Sequence, residues 1–139
     1  LPPLPEPADE IVRDFPLTLC QGRTITHFHS FYDQGQALPS LAEKNQGPQL
    51  WMSPVDADAR KLGHGDVIRV FNGRGFFAAT AYISDSMSAG TVWMRDGWAG
   101  LNRVTSGSSV LPLEALTFFP FTVGQSNYGA QVEVVPVSP

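Results

Sequence analysis

The stretch SPVDADARKLGHGDVIRVFNGRGFFAATAYIS, residues 53–84, constrains the fold most, because it specifies a helix, a turn and a hairpin in succession. Ser53 can accept an orphan amide hydrogen at a helix start, and Pro54 suits the first helical position. Asp56 and Asp58 put negative charge near the positive end of that helix. Lys61 falls in its last turn, and Gly63 is expected to close it. GHGD then leads into the strand VIRVF, and NGRG joins that strand to FFAATAYIS as a hairpin. NGRG also looks like a phosphate loop, but strands on both sides favour a plain hairpin turn.

The rest of the chain has the same texture. FPLTLC is β-prone and reads as a strand ending at Gln21-Gly22. QLWMS, TVWMRDGW and QVEVVPV are further strands, Phe31 to Gly47 is a loop with a short helical turn, and Leu101 to Gly129 is irregular. Strands dominate, hairpins are few, and the expected fold is mainly β: a compact barrel with one or two short helices. Connections this long in a small domain serve a function or pack against something else. LPPLPEPADE reads as an extended arm. The expected division is a proline-rich linker or arm at 1–14 and a barrel domain at 15–139.

Composition narrows the function. A chain of 139 residues that is 42% hydrophobic suits one domain with a real core. Its net charge of −4 and 16% charged residues leave no basic stripe for a nucleic-acid backbone. With no long apolar run, membrane insertion is not expected. A single cysteine, Cys20, excludes an internal disulfide and a cysteine-held metal cluster within the chain. Its strand-like setting points to a buried, inert thiol. The chain starts at Leu1 without a signal peptide, so it reads as a processed protein or a fragment. Any export signal would precede Leu1, which leaves cytoplasm and periplasm both open.

Few residues carry visible chemistry. His27 and His29 are two apart on an extended segment and face the same side. A metal site needs further ligands, and the only other histidine is His64, so no metal site is assigned. The pair reads either as loop histidines making hydrogen bonds or as donors to an anionic or heteroaromatic ligand. Gly22 permits close backbone approach and Arg23 can grip an anion, although a solvated arginine is the plainer reading. Trp93 is expected in the core, and Trp98, beside glycines, can line a pocket. No nucleophile elbow, P-loop or dinucleotide fingerprint occurs, and no catalytic residues are assigned.

Three segments in order nevertheless resemble the C-terminal molybdopterin-dinucleotide-binding domain of the dimethyl sulfoxide reductase family of molybdenum oxidoreductases. LCQGRTITHFHS resembles its strand, Gly-Arg turn and His-aromatic-His. LWMSPVDADARKLGHGDVIRVFNGRG resembles its helix-cap, turn and hairpin signature, with Ser53 where Asn or His is frequent. GLNRVTSG, after GTVWMRDGW, resembles its asparagine element. The resemblance implies a double-psi β-barrel whose loops close over the pterins of a bis-molybdopterin guanine dinucleotide carrying molybdenum or tungsten. By that resemblance Gly22 and Arg23 approach the cofactor, His27 and His29 flank the pterin, and the Asn102 amide meets a pterin edge. Tyr128 carries over too, but Gly129 stands where the family often has a lysine.

The resemblance also implies partners. They are the upstream catalytic domains of a nitrate reductase- or formate dehydrogenase-like parent chain, which share the cofactor, and an electron-transfer subunit. Alone, the chain is expected to catalyse nothing. The rival expectation is a stand-alone double-psi-barrel module binding peptides or adaptors, as in the N-terminal domains of some ATPase unfoldases. A small barrel decarboxylase ranks third, because it lacks the self-processing Gly-Ser step.

Overall fold

A computed structural model gives the fold and describes residues 9–25, 38–44, 47–105 and 129–137. The elements in chain order are α1 (Asp9–Asp14), β1 (Leu17–Gly22), α2 (Pro39–Ala42), β2 (Gln49–Met52), α3 (Pro54–Ala59), β3 (Val67–Asn72), β4 (Gly75–Ile83), β5 (Thr91–Arg95) and β6 (Ala130–Pro136). A 3-10 helix, Leu101–Arg103, follows β5. The six strands close into a barrel in the order β1-β5-β2-β4-β3-β6. Pairing is parallel for β1 with β5 and for β2 with β4, and antiparallel at every other seam. The early strands β1 and β2 are therefore interleaved with late ones, which is the double-psi arrangement. Among the described residues only β3 and β4 form a hairpin, through Gly73 and Arg74.

The alternation of strand side chains fills the barrel. Leu19, Leu50, Met52, Ile68, Val70, Val92, Met94 and Val132 are wholly inaccessible to solvent. At one end, Ala57 of α3 and the following Leu62 close the lumen. At the other, Leu101 and Val104 of the 3-10 segment do so, and Asn72 ties that segment down by donating to the carbonyls of Val104 (2.8 Å) and Gln131 (3.0 Å).

Helix α3 begins as its sequence dictates. The Ser53 hydroxyl accepts the Asp56 amide (3.1 Å) and donates to the Asp56 carboxylate (2.7 Å). That carboxylate also accepts the Gly90 amide (2.9 Å), which ties the cap to the turn before β5. The helix ends earlier than expected. Lys61, not Gly63, takes the left-handed conformation (φ 56°). The Leu62 amide donates to Ala57 and the Lys61 amide to Asp58, both at 3.0 Å, which is a Schellman closure. Burial of Leu62 sets that position, because the motif directs the residue after the left-handed one onto the core. Gly63 instead donates to the Asp66 carboxylate (2.7 Å) in the next turn. Arg60 clasps Glu133 through two nitrogens, pinning α3 to β6.

Two further differences concern element ends. Asp9–Asp14 forms a helix within the stretch read as an arm. TVWMRDGW is not one strand, because β5 stops at Arg95 and Gly97 (φ 86°) turns the chain back.

Candidate functional site

Outward-facing residues of β2 and β5 build a cleft on the barrel wall. Trp51 and Trp93 sit opposite each other in the β2–β5 ladder and meet edge to face, with ring centroids 5.8 Å apart and planes at 83°. Trp51 also stacks on Tyr82 of β4 (4.2 Å, 25°). Both indoles are half-buried, so Trp93 belongs to the outer wall rather than to the core where the sequence suggested it. With Trp98 and Arg95 they line a cleft of about 460 Å³, rimmed by Lys44 and Thr24. That volume lies within the ordinary range for small-molecule sites.

Gly22 explains the cleft's shape. It is in register with Arg95 at the end of the parallel β1–β5 ladder, and its carbonyl accepts the Asp96 amide (2.9 Å). A Cβ built on Gly22 would meet the Trp93 indole nitrogen at 2.7 Å. Glycine is needed here so that the indole can lie across β1.

Arg95 supplies the charge. Its side chain is 5% exposed, and its guanidinium carbon sits 4.2 Å above the Trp98 ring centroid. Burial pulls the Arg95 pKa below the usual arginine value, while the neighbouring Asp96 carboxylate pushes back. The group stays cationic at any physiological pH. Lys44 adds a second, exposed cation at the rim. The arrangement offers flat faces for stacking and positive charge beside them, which suits a planar heterocycle bearing negative charge.

The structure brings together only part of the sequence-derived site. Gly22 abuts Trp93 in the cleft wall, and exposed Arg23 lies between it and Thr24 on the rim. Asn102 is exposed on the 3-10 helix, its carbonyl accepting the Thr105 hydroxyl (3.2 Å), and it does not line the cleft. His27, His29 and Tyr128 lie outside the described residues. His64 is occupied structurally, its Nδ1 accepting the Ile83 amide (3.3 Å). Sequence reasoning missed Trp51, Trp93 and Arg95. Strand alternation held the signal, since all three occupy outward positions of β2 and β5. Among the described residues no group of three His, Cys, Asp or Glu side chains could hold a metal. Nor is any described helix long and apolar enough to cross a membrane.

Barrel and cleft together define a ligand-binding domain of double-psi type. Residues 17–117 match the family model described as "Molydopterin dinucleotide binding domain". The chain belongs to that domain family, within the dimethyl sulfoxide reductase family. It is 26% identical over 135 residues to a probable dimethyl sulfoxide reductase chain of Escherichia coli, covering 93% of this chain and 16% of that protein. It is 32% identical over 82 residues to the F420-dependent formate dehydrogenase subunit alpha of Methanocaldococcus jannaschii, covering 59% of this chain and 12% of that one. Among solved structures, acetylene hydratase from Pelobacter acetylenicus shares the fold with a TM-score of 0.70 at 18% identity, over 92% of this chain and 19% of that one. The chain thus spans less than a fifth of the length of each.

Proposed function

We propose that this chain clamps the pterin part of a bis-molybdopterin guanine dinucleotide, as the C-terminal domain of a larger molybdenum or tungsten oxidoreductase, and has no activity by itself. The observation that supports the reading is the meeting of Gly22 with Trp93 in the wall of a cleft that also holds Arg95. The donor set fits the group. Indole faces suit a flat pterin, and Arg95 and Lys44 suit the negative charge that the cofactor carries on its phosphates and dithiolene sulfurs. When bound, the cofactor supplies metal-centred redox chemistry. The chain's own residues bind and orient it: the indoles fix the plane of the ring, the cations offset its charge, and the barrel keeps both rigid. In this reading the partners are the parent's catalytic domains, which share the cofactor, and an electron-transfer subunit.

The test is the metal and pterin content of the protein expressed from its complete gene, by elemental analysis and fluorescence of the oxidised pterin. A single molybdenum or tungsten with a pair of pterins and released GMP is the expected result. Arg23→Ala at the rim is expected to lower pterin retention while leaving the far-UV circular dichroism unchanged, and Asn102→Ala to do the same through a separate contact outside the cleft, at the 3-10 helix. A small, pterin-free product would reject the clamp and leave the peptide- or adaptor-binding module.

A further inference from the structure

Among the described residues Arg95 is the only buried cation. Burying a guanidinium is costly, and an uncharged side chain of similar size would pack on an indole without that cost. The surroundings hold Arg95 in one place. Trp98 packs against the core from below, and the turn through Gly97 (φ 86°) returns its ring under the guanidinium. Asp96, itself buried, follows Arg95 in the chain and favours its charged form.

We infer that Arg95, seated on Trp98 in the cleft wall, is the specificity-determining residue of this site and selects a flat heteroaromatic ligand that bears an anionic substituent. The inference rests on the pterin reading of the cleft. Trp98 acts as a positioning residue, since it fixes where the charge stands. Lys44 shares the cleft, but it is exposed and its field is screened by salt, whereas a buried charge is screened much less. Selection by Arg95 therefore survives moderate ionic strength, and selection by Lys44 does not.

Because the cofactor is shared with the rest of the parent protein in this reading, the test object is the protein expressed from its complete gene and stripped of cofactor. The probes are pterin-6-carboxylate and uncharged 6-hydroxymethylpterin, titrated by calorimetry at low and at moderate salt. The wild type is expected to favour the carboxylate by about tenfold, the scale of one partly screened charge contact, and to keep most of that preference at moderate salt. Arg95→Gln is expected to bind both pterins more weakly than the wild type and with similar affinity, losing the preference for the carboxylate. Arg95→Lys keeps part of it. Trp98→Leu, which removes the seat, reduces it.

Preference retained in a folded Arg95→Gln protein would overturn the role of Arg95 and leave the cleft as a pterin site. So would a wild-type preference that vanishes at moderate salt, a result that needs no variant to fold. Binding of neither pterin by the wild type would overturn the pterin reading itself, and with it this inference.

Discussion

At the scale of single residues, Gly22 shows how a backbone position shapes a binding surface. The nearest obstacle to a Cβ there is the Trp93 indole nitrogen at 2.7 Å, the movable end of a side chain rather than backbone. Gly22→Ala is therefore expected to cost only about 1 kcal/mol of stability, at the low end for overpacking. Its larger effect is on the cleft, because the indole swings outward into the space a ligand would use. Near-UV circular dichroism should change clearly while the melting temperature moves little, and pterin binding should weaken. An unchanged aromatic spectrum would mean that Trp93 does not rest on Gly22. The sequence singled out Gly22-Arg23 for close approach to a ligand, and the structure adds a neighbour from the protein itself, Trp93. That neighbour was not legible, because Trp93 sits in a distant strand and only the parallel β1–β5 register brings the two together. Trp93 looked like core for the same reason: alternation says that neighbouring residues face opposite ways, but not which face is buried.

At the scale of elements, α3 separates what local sequence determines from what burial determines. Its start was fully legible, since Ser53, Pro54 and Asp56 are neighbours in sequence and act on the same turn. Its end was not. Gly63 offered the usual closing residue, yet Lys61 adopts the left-handed conformation because Leu62 must reach the core. A lysine there bears the strain that a Cβ causes in this region of backbone space. Lys61→Gly is expected to stabilise the chain by about 1 kcal/mol, the relief of that strain net of the greater chain entropy of glycine. Denaturant melts of the two proteins test this, and a loss of stability would show that the Lys61 side chain makes a contact worth more than the strain. Gly63→Ala is not equivalent, because Gly63 does not take positive φ and its Cβ would meet the Asp66 carboxylate at 3.3 Å.

At the scale of the whole molecule, barrel closure decides stability, and it is what the sequence revealed least directly. Alternation in LTLCQG, QLWM, VIRVFN and AQVEVVP marks strands without saying which ones pair. Both parallel seams join strands with other elements between them, so the barrel order came from the family resemblance rather than from local pattern. The last strand, β6, forms the antiparallel seam on both sides, with β1 and with β3. It also delivers Ala130, Val132 and Val134 to the lumen. Each buried valine contributes about 1.5–3 kcal/mol, and the total stability of a domain is only about 5–15 kcal/mol. Losing β6 also exposes two strand edges, so their backbone hydrogen-bonding groups turn from paired to open. A chain cut after residue 128 is therefore expected to lose its cooperative thermal transition and to bind a hydrophobic dye while keeping some β signal. Arg60 would lose Glu133 in the same cut, which releases α3 from the wall it is pinned to. The full chain should melt in a single step. A truncated chain that still melts cooperatively would mean that β1 and β3 can close on each other directly, and the six-stranded barrel would then not be the minimal folding unit.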